Sequence, residues 1–157
     1  MPRCAFLLVL LVGCTAQAPE APPPQVRWTA VESQPALAAL ASAAAAADKG
    51  LMLDVRAQWC VPCVELEKKT FVDEDVRRSI DANFLAARLD VTDPSPEAES
   101  LQGMVGGAAM PWVVFWPLTG PELAAFEAGK VPPPAKTIST FVSAQELLPT
   151  LEAASPK

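Results

Sequence analysis

Histidine is absent from all 157 residues. That removes the base of Ser-His and Cys-His catalysis, and it leaves a transition-metal site only thiolates and carboxylates as ligands. Surplus positive charge is absent too: 12 Lys and Arg stand against 18 Asp and Glu, a net charge of −6, with the basic residues scattered. Phosphate binding needs a concentrated basic surface, so nucleic acid is excluded as a partner. The N-terminal apolar run, residues 5–12, falls far short of the roughly 20 residues that a spanning helix needs. What remains is a chain that is 51% hydrophobic, enough for one compact domain with an adequate core and too short for a second.

Arg3 gives the apolar run a positive leading end, and the run closes on Leu11-Val12-Gly13-Cys14, which resembles the lipobox of bacterial lipoproteins. That resemblance implies a signal peptide over residues 1–13 and a lipidated Cys14 as the first mature residue. Acyl chains worth roughly 0.8 kcal/mol per buried CH₂ would then hold the protein on a membrane from the periplasmic side, the outer membrane rather than the inner. An ordinary secretory signal cut after Ala16-Gln17-Ala18 also fits the sequence. Residues 14–25, with Pro19, Pro22, Pro23 and Pro24, cannot bury a core and read as an extended tether, leaving 26–154 for the folded domain. Of the four cysteines, Cys4 leaves with the signal and Cys14 becomes a thioether, so Cys60 and Cys63 are the free thiols. A disulfide between them closes too short a loop to add much stability, which points to chemistry. Two thiols without histidine cannot complete a tetrahedral zinc shell, and no metal or other cofactor is expected.

Within the domain, residues 26–31 read as a strand. The alanine-rich stretch 35–48 reads as a helix, with Ser33 as N-cap and Gly50 as its stop. The nearly continuous apolar run 51–55 has the pattern of a strand buried on both faces. A helix should begin at Cys60, with another over 73–82. A strand follows at 84–89, a helix at 96–104, and a strand at 112–116 introduced by Pro111. A last strand at 137–142 and a helix at 143–154 complete the chain, with Pro149 as a kink or early break. The order β-α-β-α-β-α-β-β-α predicts an α/β fold, a central mixed sheet flanked by helices, with early parallel crossovers and a terminal antiparallel pair. Residues 118–136, which include Pro132-Pro133-Pro134, are longer than a hairpin needs and read as an insertion.

The chemistry centres on Trp59-Cys60-Val61-Pro62-Cys63, with Asp54 six residues before Cys60 and Met110-Pro111 further on. Cysteines at i and i+3 in a first helical turn share a face, so their disulfide forms and breaks with little rearrangement. At the helix N-terminus Cys60 gains thiolate stability, moving its pKa toward the value of roughly 7 seen in thioredoxin, and becomes the nucleophile. Cys63, one turn inward and more buried, resolves the mixed disulfide. Asp54 lies in an apolar strand run, where ionisation is costly and a raised pKa suits a proton acceptor for Cys63; an aspartate at a solvated strand end is the alternative. Glu67, four residues past Cys63, would oppose thiolate formation by like-charge repulsion, or is a solvated helix glutamate.

The motif, Asp54 and Met110-Pro111 together resemble the thioredoxin family in order and spacing, which implies the thioredoxin fold over roughly residues 28 to 152. Leu53-Asp54, Trp59-Cys60-Val61, Cys63, Glu65-Leu66-Glu67-Lys68, Thr70-Phe71 and Asp90-Val91-Thr92 resemble, in more detail, the C-terminal periplasmic domain of the DsbD reductases. By that resemblance Asp54 and Glu67 keep the attacking cysteine poorly ionised. Pro111 is the family's cis-proline, and the Met110 backbone offers strand-like hydrogen bonds to an incoming peptide beside Trp59, Val61 and Pro62. Trp59 would cover one side of the disulfide, whereas Trp112 and Trp116 read as core or edge residues. Trp112 stands where thioredoxins usually carry Thr and Ala109 where many carry Gly, which bears on groove shape. Proline in the motif and the missing histidine favour reduction over oxidation. The expected function is a monomeric, membrane-tethered thiol reductase that takes electrons from a transmembrane donor and passes them to oxidised exported proteins, apocytochromes included. An oxidase or isomerase of the same fold is one alternative. A non-catalytic binding module is another, whose signature would be a lost cysteine.

Overall fold

The middle of the molecule is the apolar run at 51–55, which becomes strand β2, Gly50–Arg56, buried at every position but its last. The computed structural model describes residues 25–157. The signal segment, Cys14 and nearly all of the tether lie outside the described residues. Strand β3, Phe84–Asp90, runs parallel to β2 in a register from Gly50 opposite Phe84 to Arg56 opposite Asp90. On the other side β4, Trp112–Trp116, runs antiparallel, with Asp54 opposite Val113. A two-residue β1, Thr29–Ala30, pairs parallel with β3, and a three-residue β5, Lys136–Ile138, pairs antiparallel with β4. The five-stranded mixed sheet has the order β1-β3-β2-β4-β5.

Because successive strand residues face opposite ways, the sheet carries two cores. Leu51, Leu53 and Val55 pack with buried residues of α1 (Gln34–Ala46), α4 (Pro96–Met104) and α5 (Gly120–Glu127). Met52 packs on the opposite face with Val76 and Ile80 of α3 (Glu74–Asn83) and with Leu147 and Leu151 of α6 (Ala144–Ala154). Helix α1 is ordered despite its low complexity: Ser33 caps it by accepting the Ala36 N–H, and Leu37, Ala41 and Ala44 recur on its buried side. The helix stops before Gly50, at Ala46, with Asp48 in the left-handed region at φ 54°. Gly50 instead opens β2, where a Cβ would stand 2.8 Å from the Trp116 carbonyl oxygen. Its role is close approach between strands and not the ending of the helix.

Three expectations change. The outer strands shrink to two and three residues, because 26–28 and 139–142 find no ladder partner on the sheet edge. The insertion at 118–136 contains α5, started by a capping box in which the Glu122 carboxylate accepts the Thr119 N–H at 2.8 Å. Phe126 of α5 meets Trp116 edge-on at 5.4 Å, and Trp116 Nε1 donates to the Pro132 carbonyl at 2.9 Å, tying the proline run back to the sheet. Pro149 neither breaks nor shortens α6, which runs on to Ala154 with Leu147, Leu151 and Ala154 buried. Burial of that face outweighs the missing hydrogen bond. Among the described residues no helix is long and apolar enough to cross a membrane.

Replacing Pro149 by Ala returns an N–H to a helix already held by packing. The urea midpoint of Pro149→Ala should rise, corresponding to a gain of about 1–2 kcal/mol, since an interior proline costs up to roughly 3. A lower midpoint would mean that α6 is shaped around its proline.

Candidate active site

Cys60 is the N-cap of α2, Val61–Glu65, with extended backbone angles (φ −83°, ψ 100°), and its Sγ accepts the Cys63 N–H at 3.3 Å. Pro62 sits in the first turn, where the N–H it lacks would have no helical acceptor. The two sulfurs form a disulfide with the Cα atoms 5.3 Å apart. Both residues are buried, at 6% and 4% exposure, so the expected contrast in burial is slight while the sulfurs are bonded to each other. The difference that persists is positional: Cys60 receives an amide hydrogen bond at the helix start, a contact that favours a thiolate on that sulfur. Trp59 and Val61 project into solvent at 64% and 70% exposure. The Met110–Pro111 peptide is cis, as the resemblance implies, with Met110 half-buried and Pro111 buried.

Past Glu65 the helix widens into a π turn, Leu66–Thr70, which carries Glu67. The Glu67 carboxylate does not lie free beside the cysteine helix. Its Oε1 accepts from Arg88 Nη1 at 3.0 Å, and its Oε2 lies 3.5 Å from Arg56 Nη2. Arg88 also donates through Nε to Asp54 Oδ2 at 3.1 Å, with Nη2 3.0 Å from the same oxygen, and its guanidinium stacks on the Trp28 ring at 4.2 Å. Arg56 reaches Asp90 Oδ2 at 3.4 Å. Asp54 is thus a buried carboxylate in an apolar strand, as expected, but one with a counter-ion on the neighbouring strand. Its pKa is nevertheless pushed up to about 6 from an ordinary value of 3.8: burial dominates, Arg88 and then Arg56 pull it down, and Glu67 adds a smaller upward push.

From Asp90 the polar contacts continue to the redox motif. Asp90 Oδ1 accepts both the hydroxyl and the backbone N–H of Thr92, the latter at 2.9 Å. Thr92 in turn accepts the Gln58 N–H on its hydroxyl at 2.9 Å and Trp59 Nε1 on its carbonyl at 3.4 Å. Trp116 is fully buried, whereas Trp112 lies across the glycine turn that precedes the cis-proline. Its Nε1 donates to the Val105 carbonyl at 2.8 Å, and a Cβ at Gly107 would stand 3.4 Å from its ring. Gly106 in this turn takes a left-handed backbone, at φ 76°, that favours glycine. Among the described residues no three Cys, Asp or Glu side chains are grouped so as to hold a metal ion.

The thioredoxin-like family model matches residues 28–117, from before β1 to the end of β4, and spans the disulfide, Asp54 and the cis-proline. The chain belongs to the thioredoxin-like family. This member is an oxidoreductase-type chain carrying a Cys60–Cys63 disulfide. It is 34% identical over 112 residues to the thiol:disulfide interchange protein DsbD of Yersinia enterocolitica, covering 71% of this chain and 18% of that one. Against the protein of the same name from Vibrio cholerae it is 31% identical over 96 residues, covering 61% and 16%. The chain therefore spans less than a fifth of the length of these relatives. Among solved structures it resembles the oxidised C-terminal domain of DsbD from Neisseria meningitidis, with TM-score 0.56 and 26% identity over 74% of this chain and 90% of that one. It also shares the fold of a thioredoxin from Thermus thermophilus, with TM-score 0.61 and 21% identity over 83% and 87%.

The two arginines of this thioredoxin-like site, with Asp90 and Thr92 as their outlet, carry no role in the sequence reading. Two signals pointed to them. Arg56 follows Asp54 by two residues and so shares its face of β2, and Arg88 is a charge inside an apolar strand run, the same anomaly that singled out Asp54.

Because the folded-state pKa of Asp54 lies above its unfolded value, the neutral carboxyl supports the fold fully below about pH 4, and that support is lost as pH rises through about 6. Urea denaturation of wild type and Asp54→Asn between pH 4 and 7 should show the variant gaining on the wild type by about 2–3 kcal/mol across that window. A difference independent of pH would refute the buried, late-titrating carboxyl.

Proposed function

We propose that the protein is a membrane-tethered thiol reductase of the bacterial periplasm, and the observation that carries the proposal is Cys60 at the helix start with the Cys63 amide on its sulfur. The Cys60 thiolate attacks one sulfur of a client disulfide. A mixed disulfide forms, and the other client sulfur leaves as a thiolate that takes up a proton. Asp54 accepts the Cys63 proton, and the Cys63 thiolate attacks Cys60 Sγ, forming the intramolecular disulfide and releasing the second client thiol. Two electrons have passed to the client, and a dithiol donor must return them. Trp59, Val61, Pro62, Met110 and Pro111 form the surface on which an extended client segment docks, and Glu67 moderates ionisation at the cysteines.

Proline within the motif, the lack of histidine and the likeness to DsbD support reduction as the direction. The bacterial envelope is oxidising, so the donor is a transmembrane dithiol protein and the clients are oxidised exported proteins. Lipid on Cys14, followed by the 14–25 tether, would hold a monomeric domain to the membrane, the outer in preference to the inner. The domain division at 1–13, 14–25 and 26–154 belongs to this same reading.

The Cys60–Cys63 couple should titrate near the thioredoxin value of about −270 mV; a potential near −120 mV would make the protein an oxidant and overturn the reading. Cys63→Ala should trap mixed disulfides with clients and Cys60→Ala few; equal capture by both would refute the assigned roles. Cys14→Ser should leave the membrane fraction and lose palmitate labelling, whereas membrane association unchanged in that variant would exclude the lipid anchor.

A further inference from the structure

We propose that Arg56 is a positioning residue of the exchange reaction, joining the buried Asp54 carboxyl to the loop that carries Trp59 into Cys60. The inference rests on disulfide exchange at Cys60 and Cys63 but not on its direction. Arg56 is on β2, two residues after Asp54, with its side chain only 12% exposed. Its guanidinium is divided between two carboxylates on different elements, Glu67 on the π turn and Asp90 at the end of β3. Each of those carboxylates is divided in turn. Glu67 gives one oxygen to Arg56 and the other to Arg88, which holds Asp54. Asp90 gives one oxygen to Arg56 and the other to Thr92, which brackets Gln58 and Trp59. Arg56 is therefore the group shared by the proton-binding end and the loop end of one chain of contacts.

The charges show why this sharing matters. Asp54, Glu67 and Asp90 face two guanidiniums, so the cluster is neutral with one proton aboard and carries one negative charge when that proton leaves. The charged groups facing Asp54 are Arg56 on its own strand, Arg88 on β3 and Glu67 on the π turn, and its register partner on β4 is Val113. Loss of Arg56 leaves three carboxylates around one guanidinium, which strengthens proton binding at Asp54 and frees Asp90 from its inner partner. Neutralising Asp90 instead leaves Arg56 to Asp54 and Glu67 and weakens proton binding. Either change loosens the Thr92 bracket.

Full-length Arg56→Gln and Asp90→Asn test this by opposite shifts. Carboxyl NMR of the oxidised protein should show the Asp54 midpoint moving up by at least about half a pH unit in Arg56→Gln and down in Asp90→Asn. In both variants the Trp59 indole N–H should exchange several-fold faster than in wild type, and single-turnover insulin reduction should slow. Shifts of the same sign, or an unchanged Asp54 midpoint, would overturn the proposal, as would indole exchange equal to wild type. If Arg56→Gln does not fold, Asp90→Asn decides alone by the same two readings. A wild type that neither reduces insulin nor oxidises a reduced dithiol peptide would refute the exchange reading instead, since both NMR readings are independent of turnover.

Discussion

A carboxylate on the middle strand of a sheet is expensive to ionise, and the Asp54–Arg88 pair across β2 and β3 is the contact on which the rest of the site depends. Burial pushes the Asp54 carboxyl up and Arg88 pulls it down, the more weakly of the two. Arg88 is shared with Glu67 and stacked on Trp28. The result is a carboxyl whose pKa is pushed up to about 6, close to ambient pH. The pair also fixes the fold locally: it bridges parallel strands in register, beneath a helix that widens to π geometry where Glu67 leans toward the arginines.

The surrounding architecture serves to hold that pair and the cysteines in fixed relation. Strand β2 ends at Arg56 and the cysteine helix starts at Val61, so only four residues separate the carboxyl's strand from the disulfide's helix. Thr92 grips two of those four. The Trp112 side chain, larger than the usual residue of thioredoxins at that place, packs across the turn at Gly106 and Gly107 and donates its Nε1–H to the Val105 carbonyl, while the Met110–Pro111 peptide stays cis.

Much of this could be read from residues. The run at 51–55, the motif at 59–63 and Met110-Pro111 carry strong local signals, and the mixed character of the sheet follows from the alternation of strands and helices between them. The insertion at 118–136 shows three consecutive prolines first, and its helix is announced only by Thr119 and Glu122 at capping-box spacing. Pro149 misleads for the opposite reason: its cost is local and visible, and the packing of Leu147 and Leu151 that overrides it is not. The reach of Arg88 to Asp54 depends on strand register, which no spacing within one segment reveals. The shift to a π turn at Leu66 has no comparable signature in composition.

The shortness of β1 and β5 has its own consequence for what the sheet can take up at its edges. A sheet edge with a long row of unpaired amides is a template for strand addition. Here the outermost strands offer two and three residues, and β5 is followed at once by the segment leading to α6. Among the described residues, an extended polypeptide therefore finds little edge on which to lengthen the sheet.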